Sequence, residues 1–148
     1  MKWLLIIVAL IALAFVVSLG RRQNERAAVR ALRSQFAHIA RLRLVAACPG
    51  LDGVLDEADL RFLFDWILIE SCRRTGASGL AQLMQWSLNN GEPAARELTA
   101  DVARQAVDRL PRPVLTAIDG CEGRTVAAVI LDEALTEAGQ RVAPQLRR

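Results

Sequence analysis

Residues 3–20 read WLLIIVALIALAFVVSLG, and the pair Arg21-Arg22 follows directly. These eighteen residues carry no charge. At ~1.5 Å per residue they form about 27 Å of helix, close to the hydrocarbon thickness of a bilayer. Trp3 stands at the start of the stretch, where an indole ring favours the headgroup boundary. We therefore predict an N-terminal transmembrane anchor over residues 1–20.

A cleaved signal peptide is the alternative for the same stretch. Lys2 would supply its positive region, and Ser18-Leu19-Gly20 offers small residues for cleavage. The hydrophobic region of a signal peptide runs about 7–15 residues, and this stretch is longer. Its length favours an anchor that stays attached.

Arginines are concentrated on one side of the predicted anchor. Between residues 21 and 45 seven arginines face one acidic residue, Glu25. Positive residues close to a span tend to stay in the cytoplasm. The sequence thus predicts a protein of the cell inner membrane, with its N-terminus outside and its C-terminal domain cytoplasmic. Arg21, Arg22 and Arg26 are predicted to contact anionic lipid headgroups.

The chain beyond this basic segment is mildly acidic and rich in helix-forming residues. From residue 46 onward eleven arginines stand against fifteen acidic residues, so the net charge of +3 combines two opposite halves. Because the excess positive charge is juxtamembrane, it gives no reason to expect a nucleic-acid partner. Ala and Leu are abundant and no alternating strand pattern follows the apolar stretch, which indicates an all-α fold.

Turn signals divide the chain into predicted segments. A basic juxtamembrane helix over residues 21–47 ends at Cys48-Pro49-Gly50. A small helical bundle of about five helices follows over residues 48–142, and residues 143–148 are predicted to be a flexible tail. The apolar stripe predicted for the juxtamembrane helix consists of Ala28, Val29, Leu32, Phe36, Ile39, Leu42 and Ala46.

Capping residues set the predicted helix boundaries within the bundle. Asp56, with Asp59 three residues later, forms a predicted capping box, and Gly76 is a predicted C-terminal cap. Ser78 is the predicted N-cap of the next helix. Further helix boundaries are expected at Thr99, at Pro111, at Gly120, and near Gly139 or Pro144.

The helix that begins after Asp56 is apolar on almost every side. A helix of this kind forms the centre of a core, or exposes part of its surface to a partner or to lipid. Two acidic residues inside it, Asp65 and Glu70, argue against a second membrane span. The residues predicted to be buried in the core or against a protein partner are Phe62, Phe64, Trp66 and Trp86.

Two motif matches near Asp56 lack the residues that their chemistry needs. Residues 54–59 spell VLDEAD, a helicase signature, but the chain has no phosphate-binding GxxxxGK[ST] loop. Aligned as an EF-hand loop, the segment has Cys48 and Gly50 where carboxylate ligands are required. The acidic residues instead favour a helix N-terminus.

The segment Asp52-Gly53-Val54-Leu55, followed by Asp59, resembles the Asp-Gly signature of the TerB-like helical domains of tellurite-resistance proteins. That family is all-α and often metal-associated, so the resemblance implies a metal-associated helical domain. Asp119-Gly120 is similar to the signature, although Val126 stands where the downstream acid belongs. We assign no metal or cofactor ligands from so short a segment.

Few residues in this sequence are suited to catalysis. His38 is the only histidine, and a surface or packing role is expected for it; no GxSxG, HExxH or CxxC motif occurs. We predict no enzyme activity, no catalytic residue and no cofactor. Cys121 is expected in an exposed loop, and Cys48 and Cys72 are expected to fill core space. A sparse, odd number of cysteines suits a reducing compartment.

These observations favour a membrane-tethered helical interaction module, an accessory subunit or adaptor of a membrane-associated complex. One alternative is an exported envelope protein with a disulfide among its three cysteines. Another is a metal-associated domain that uses the acids from Asp52 to Asp59, as the TerB-like resemblance implies.

Overall fold

The computed structural model describes the backbone of residues 2–146 and the side chains of residues 20–144. Six α-helices and one 3₁₀ turn occur within these ranges, without a strand, which confirms the predicted all-α fold. The helices are α1 (Lys2–Ala47), α2 (Glu57–Thr75), α3 (Leu80–Asn90), α4 (Glu92–Val107), α5 (Arg112–Asp119) and α6 (Arg124–Leu146), and the 3₁₀ turn spans Pro49–Leu51.

Two predicted segments lie at the edges of the described residues. The anchor predicted over residues 1–20 falls outside the described side chains except for Gly20. Within the described part of the chain, no helix is both long and apolar enough to cross a membrane. At the other end, α6 continues past the predicted fraying points Gly139 and Pro144 to Leu146, and the last two residues of the predicted tail are outside the described range.

The C-terminal half of α1 is the central helix of the bundle. Phe36 and Ala40 are fully buried, and α1 packs chiefly against α6 and α2. The ring centroids of Phe36 and Phe64 lie 5.7 Å apart in a tilted arrangement that aromatic pairs favour in protein cores. The same helix thus contains the arginines from Arg21 to Arg33 and the residues around which the bundle is built.

The apolar stripe predicted for this helix is correct only in part. Phe36 and Ile39 are buried as predicted, but Leu42 and Ala46 are exposed and Leu44 is buried in their place. The buried positions 36, 40, 44 and 48 advance by four residues. Side chains four residues apart form a ridge that is inclined to the helix axis, and crossing helices pack along such ridges. Because the ridge is inclined, it diverges from the straight stripe that a periodicity of about 3.6 residues predicts.

The helix α2 begins and ends where its sequence predicts. Asp56 Oδ1 accepts a hydrogen bond from Ala58 N at 3.2 Å, and Asp56 N donates to Asp59 Oδ2 at 3.3 Å. At the other end Gly76 adopts φ +75°, the left-handed conformation that favours glycine at a helix C-terminus. The predicted capping box and the predicted C-terminal cap are both confirmed.

Two other predicted helix starts are wrong. Ser78 does not cap α3, because the N-cap residue is Gly79 and the acceptor for the first turn comes from α1, as described below. Thr99 does not begin a helix, because α4 runs unbroken through it. The Thr99 hydroxyl donates to the Ala95 carbonyl oxygen at 2.8 Å, so it bonds within its own helix instead of capping a new one.

Candidate functional site

Arginines line an open groove between α1 and the start of α3. Arg22, Arg26 and Arg30 line it from α1 at four-residue spacing, and the N-cap residue Gly79 and Leu80 line it at the start of α3. Residues four apart lie on one helix face, so the three side chains project together over about 12 Å at ~1.5 Å per residue. We call Arg22, Arg26 and Arg30 the arginine stripe. Within the described residues, none of the three forms an ion pair.

The one carboxylate that lines this groove among the described residues is already bonded. Glu25 Oε1 accepts a hydrogen bond from Ala81 N at 3.1 Å. Ala81 is in the first turn of α3. The N-cap residue of this helix, Gly79, has no side chain that could accept a hydrogen bond from that turn. The bond places the start of α3 beside the arginine stripe, about 8 Å along α1 from Gly20 at ~1.5 Å per residue.

The groove stays positive after its internal pairing is counted. Arg33 also lines it, but Arg33 Nε donates to Asp65 Oδ1 at 2.8 Å, which compensates its charge. The negative charge of Glu25 offsets one of the three positive charges of the arginine stripe, which leaves a net charge of about +2 in the groove. The remaining positive charge lies beside a helix N-terminus, and both favour an anion.

An apolar cavity of about 330 Å³ adjoins the groove and is lined by α1, α2, α3, α4 and α6. Leu68 and Leu80 line both the cavity and the groove, so the positive surface and the apolar space are continuous. The wall contributed by α3 is the least packed, since α3 has no buried residue. The polar side chains that line the cavity are Ser71, Thr99 and Thr136.

The surface of α3 carries no charge and exposes two large apolar side chains. Its sequence, LAQLMQWSLNN, contains no ionisable side chain. Met84 is 52% exposed and Leu88 is 78% exposed. Exposed apolar side chains of this size, grouped on one helix, are typical of a surface that meets lipid or another protein.

The four aromatic residues predicted for the core or a partner do not form one surface. Phe64 is buried in the core, whereas Phe62 is 68% exposed on α2. Trp66 is half-buried, and the guanidinium carbon of Arg109 lies 5.2 Å from its ring centroid, within cation–π distance. Trp86 is half-buried on α3. Each residue therefore has its own environment.

An exposed apolar strip nevertheless runs along α2. Phe62 and Ile69 are 68% and 67% exposed, and their seven-residue separation places them on one helix face with Trp66 between them. We call Phe62, Trp66 and Ile69 the α2 strip. Phe62 and Trp66 were identified from the sequence but Ile69 was missed, although the spacing of four and then three residues was the available signal.

The predicted lipid contacts lie at the beginning of the described side chains. Arg21, Arg22 and Arg26 are exposed, and the latter two line the groove. Arg30 belongs to the same stripe and was missed as a site residue. Its four-residue spacing from Arg26 is visible in the sequence, but the groove that gives the spacing a meaning is formed by α3.

Two of the three cysteines approach each other at the end of α1. Cys48 Sγ donates to Ala117 O and Cys121 Sγ donates to Ala47 O, each at 3.5 Å. A hydrogen bond between the two thiols that favours the protonated form of Cys48, together with desolvation, raises the pKa of Cys48. All three thiols are free; Cys48 is buried and Cys121 exposed as predicted, but Cys72 is only partly buried.

The acids of the TerB-like segment have structural partners. Asp52 Oδ1 accepts a hydrogen bond from Arg41 Nη2 at 3.0 Å, and Asp56 and Asp59 form the capping box. His38 is exposed, as expected for a surface residue. Across the described side chains, no group of three or more His, Cys, Asp or Glu residues is placed to hold a metal ion.

Comparison with known proteins gives no match to this chain among family profiles, curated proteins or solved structures. Function is therefore inferred from three features: the groove with its arginine stripe, the adjoining apolar cavity, and the α2 strip. The groove begins near Gly20, the cavity adjoins it through Leu68 and Leu80, and the third feature lies along α2.

Proposed function

We propose that the chain is a membrane-tethered interaction module, an accessory subunit or adaptor of a complex at the cell inner membrane. The observation that supports this most directly is the continuity of α1, which runs from Lys2 to Ala47 and contributes Phe36 and Ala40 to the core. An anchor at residues 3–20 would therefore hold the bundle at a fixed distance from the bilayer. In that arrangement the arginine stripe begins at the level of the headgroups.

Arg21, Arg22 and Arg26 contact anionic lipid headgroups in this proposal. They lie within about 9 Å of Gly20 along α1 at ~1.5 Å per residue, which long arginine side chains can span. Each positive charge near such a surface contributes about 1 kcal/mol. The same charges favour a cytoplasmic position for the bundle.

The α2 strip is the proposed surface for a protein partner. Phe62 and Ile69 present large apolar side chains from a helix whose opposite face is buried, so the strip is held rigidly. Trp66 and the neighbouring Arg109 belong to the residue types that dominate binding energy in protein interfaces. Mutual burial with a partner would remove this apolar surface from water.

Alkaline carbonate extraction of membranes tests the tether. The full chain is expected to stay in the membrane pellet. The variant Ile11→Arg plus Ala14→Arg is expected to move to the soluble fraction, because each charge costs about 2.5–3.5 kcal/mol at the centre of a membrane helix. Release of the unsubstituted chain, or a mature form that begins at Arg21, would contradict the proposal.

Site-specific photo-crosslinking in cells tests the partner surface. A photoreactive phenylalanine analogue replaces Phe62 or Ile69 of the α2 strip, and Val129 on α6, which is 53% exposed, serves as the matched control. A discrete adduct of the same mass is expected from both strip positions and not from Val129. Equal adducts at all three positions, or none at any, would exclude a specific partner on this surface.

A second candidate, an exported envelope protein, is favoured by one observation: the hydrogen-bond contact between the Cys48 and Cys121 thiols. In an oxidising compartment each thiol would lose a hydrogen and one S–S bond would form. The two electrons would pass to the disulfide of a thiol oxidoreductase, which is reduced to two thiols. Such a bond would join the end of α1 to the segment between α5 and α6.

Acid-quenched thiol labelling separates the two candidates. In the Cys72→Ser variant only Cys48 and Cys121 can react, and the Cys48→Ser plus Cys72→Ser variant controls for Cys121 alone. A cytoplasmic bundle predicts that both thiols take up a maleimide mass tag without reduction. An exported bundle predicts labelling of the pair only after reduction, with the control labelled in both conditions.

A further inference from the structure

We infer that the apolar cavity holds one acyl chain of an anionic membrane lipid, whose headgroup is bound by the arginine stripe. Leu68 and Leu80 line both regions, so a single ligand can occupy both. A molecule complementary to both is negatively charged at one end and apolar at the other. The inference rests on the proposed membrane location, because the bilayer supplies such a molecule.

The cavity is small and its lining is mostly apolar. Its volume of about 330 Å³ is near the lower end of the roughly 300–1,000 Å³ of typical ligand pockets. Two of its hydroxyls are bonded within their own helices, since Thr99 Oγ1 donates to Ala95 O and Thr136 Oγ1 donates to Asp132 O. The interior therefore offers little to a polar ligand and suits hydrocarbon.

The headgroup end is defined by charge. Arg26 and Arg30 make no ion pair within the described part of the chain. The Glu25 carboxylate accepts a hydrogen bond from Ala81 N. The uncompensated positive charge lies where α3 begins, next to Leu80 at the mouth of the cavity. An anionic headgroup at this position would leave its chain adjacent to the apolar space, whereas a zwitterionic headgroup would add a positive charge to a positive groove.

Photo-crosslinking in lipid nanodiscs tests the inference on the full chain. The probe is phosphatidylglycerol with a diazirine in one acyl chain, in discs of phosphatidylcholine, and the comparison is phosphatidylcholine with the same photoreactive chain. Cross-linked peptides are identified by mass spectrometry. The anionic probe is expected to label peptides containing Leu83 and Leu135, which line the cavity, about tenfold more strongly than the zwitterionic probe.

Gly139 offers a variant that occupies the cavity without disturbing the fold. It lines the cavity on α6, and a Cβ added there meets no atom within 4 Å. Gly139→Leu is therefore expected to fold, as checked by circular dichroism, and to lose the cavity labelling. Gln140→Leu, which adds the same side chain at the exposed neighbouring position, is expected to keep it.

Charge variants test the headgroup site. Arg26→Gln plus Arg30→Gln is expected to lower labelling by phosphatidylglycerol to the level of phosphatidylcholine. Arg61→Gln plus Arg112→Gln removes two exposed arginines that do not line the groove, and it is expected to change nothing.

Labelling of residues 3–20 distinguishes failure of this inference from failure of the tether. If both probes label residues 3–20 but not the cavity peptides, the tether stands and the lipid site is overturned. Equal cavity labelling by both probes, or labelling that survives Gly139→Leu, also overturns the lipid site. Cavity labelling that is sensitive to Gly139→Leu, without any label in residues 3–20, supports the lipid site and overturns the tether.

Discussion

The carboxylate of Glu25 on α1 caps the first turn of α3, because its Oε1 accepts a hydrogen bond from Ala81 N at 3.1 Å. Helix N-termini leave N–H groups without intrahelical acceptors, and α3 has no capping side chain of its own. A Cβ on Gly79 would lie 2.6 Å from the same oxygen, so glycine permits this approach. The contact joins the wall of the apolar cavity to the arginine stripe.

Removing this cap is expected to loosen α3. Glu25→Ala should lower the opening free energy of α3 by about 0.5–2 kcal/mol, the usual cost of losing an N-cap acceptor. Glu25→Gln keeps an acceptor oxygen and should lose less. Hydrogen exchange of the α3 amides in the full chain measures both, and equal exchange in the unsubstituted chain and Glu25→Ala would show that the bond does not stabilise α3.

Two phenylalanines should differ sharply in their contribution to stability. Phe36→Ala leaves a void beside Phe64 in the core and should lower the free energy of unfolding by about 3–5 kcal/mol. Phe62→Ala truncates a side chain that is 68% exposed and should change it by no more than about 0.5 kcal/mol. Chemical denaturation of both variants in the same detergent tests this, and comparable losses would contradict the assignment of Phe62 to the surface.

Features encoded within one helical turn were predictable from the sequence. The capping box of Asp56 and Asp59 and the C-terminal cap at Gly76 were found because their partners are at most a few residues away. The cap of α3 was missed for the opposite reason. Its acceptor, Glu25, lies 56 residues from Ala81, while Ser78 offered a local candidate that the fold does not use.

The only part of the candidate site that was predictable from the sequence is the part that lies next to the apolar stretch. Arg22 and Arg26 were identified because they follow the apolar stretch directly. The apolar cavity was not predictable, because its lining comes from five helices and depends on their packing angles. The burial of Leu44 in place of Leu42 has the same origin, since the ridge that meets the neighbouring helices is fixed by tertiary contact.

Two glycines should respond in opposite directions to alanine. Gly76 has φ +75°, so Gly76→Ala forces a left-handed alanine and should destabilise the fold by about 1–2 kcal/mol. Gly139 is inside α6, and no atom lies within 4 Å of the position that a Cβ would take, so Gly139→Ala should stabilise the fold by about 0.4–1 kcal/mol. Thermal unfolding of the two variants measures the signs, and a shift in the same direction would refute one of the two backbone assignments.

An ion-pair cluster joins α2 to α4. The Arg74 guanidinium hydrogen-bonds to Glu70 on its own helix and to Asp101 on α4. Hydrogen bonds from Arg73 and Arg74 lower the pKa of Glu70 from 4.5 to about 2, and a hydrogen bond from Arg74 lowers the pKa of Asp101. Both carboxylates are therefore more acidic in the folded chain than in the unfolded chain.

The cluster should make the fold sensitive to acid. A carboxylate whose pKa is lowered by folding stabilises the folded state above its unfolded pKa, and this contribution disappears as the pH falls through the folded pKa. Stability is thus expected to decline from about pH 5 towards pH 2, and Glu70→Gln should lower the melting temperature at pH 7 and flatten that decline. Glu92→Gln, which removes an ion pair with Arg96 whose partners are 72% and 79% exposed, should leave the curve unchanged. Melting temperatures of the unsubstituted chain, Glu70→Gln and Glu92→Gln, measured between about pH 7 and pH 2, test this prediction. If the melting temperature of Glu70→Gln falls with pH in parallel with that of the unsubstituted chain, Glu70 is not a source of the acid sensitivity.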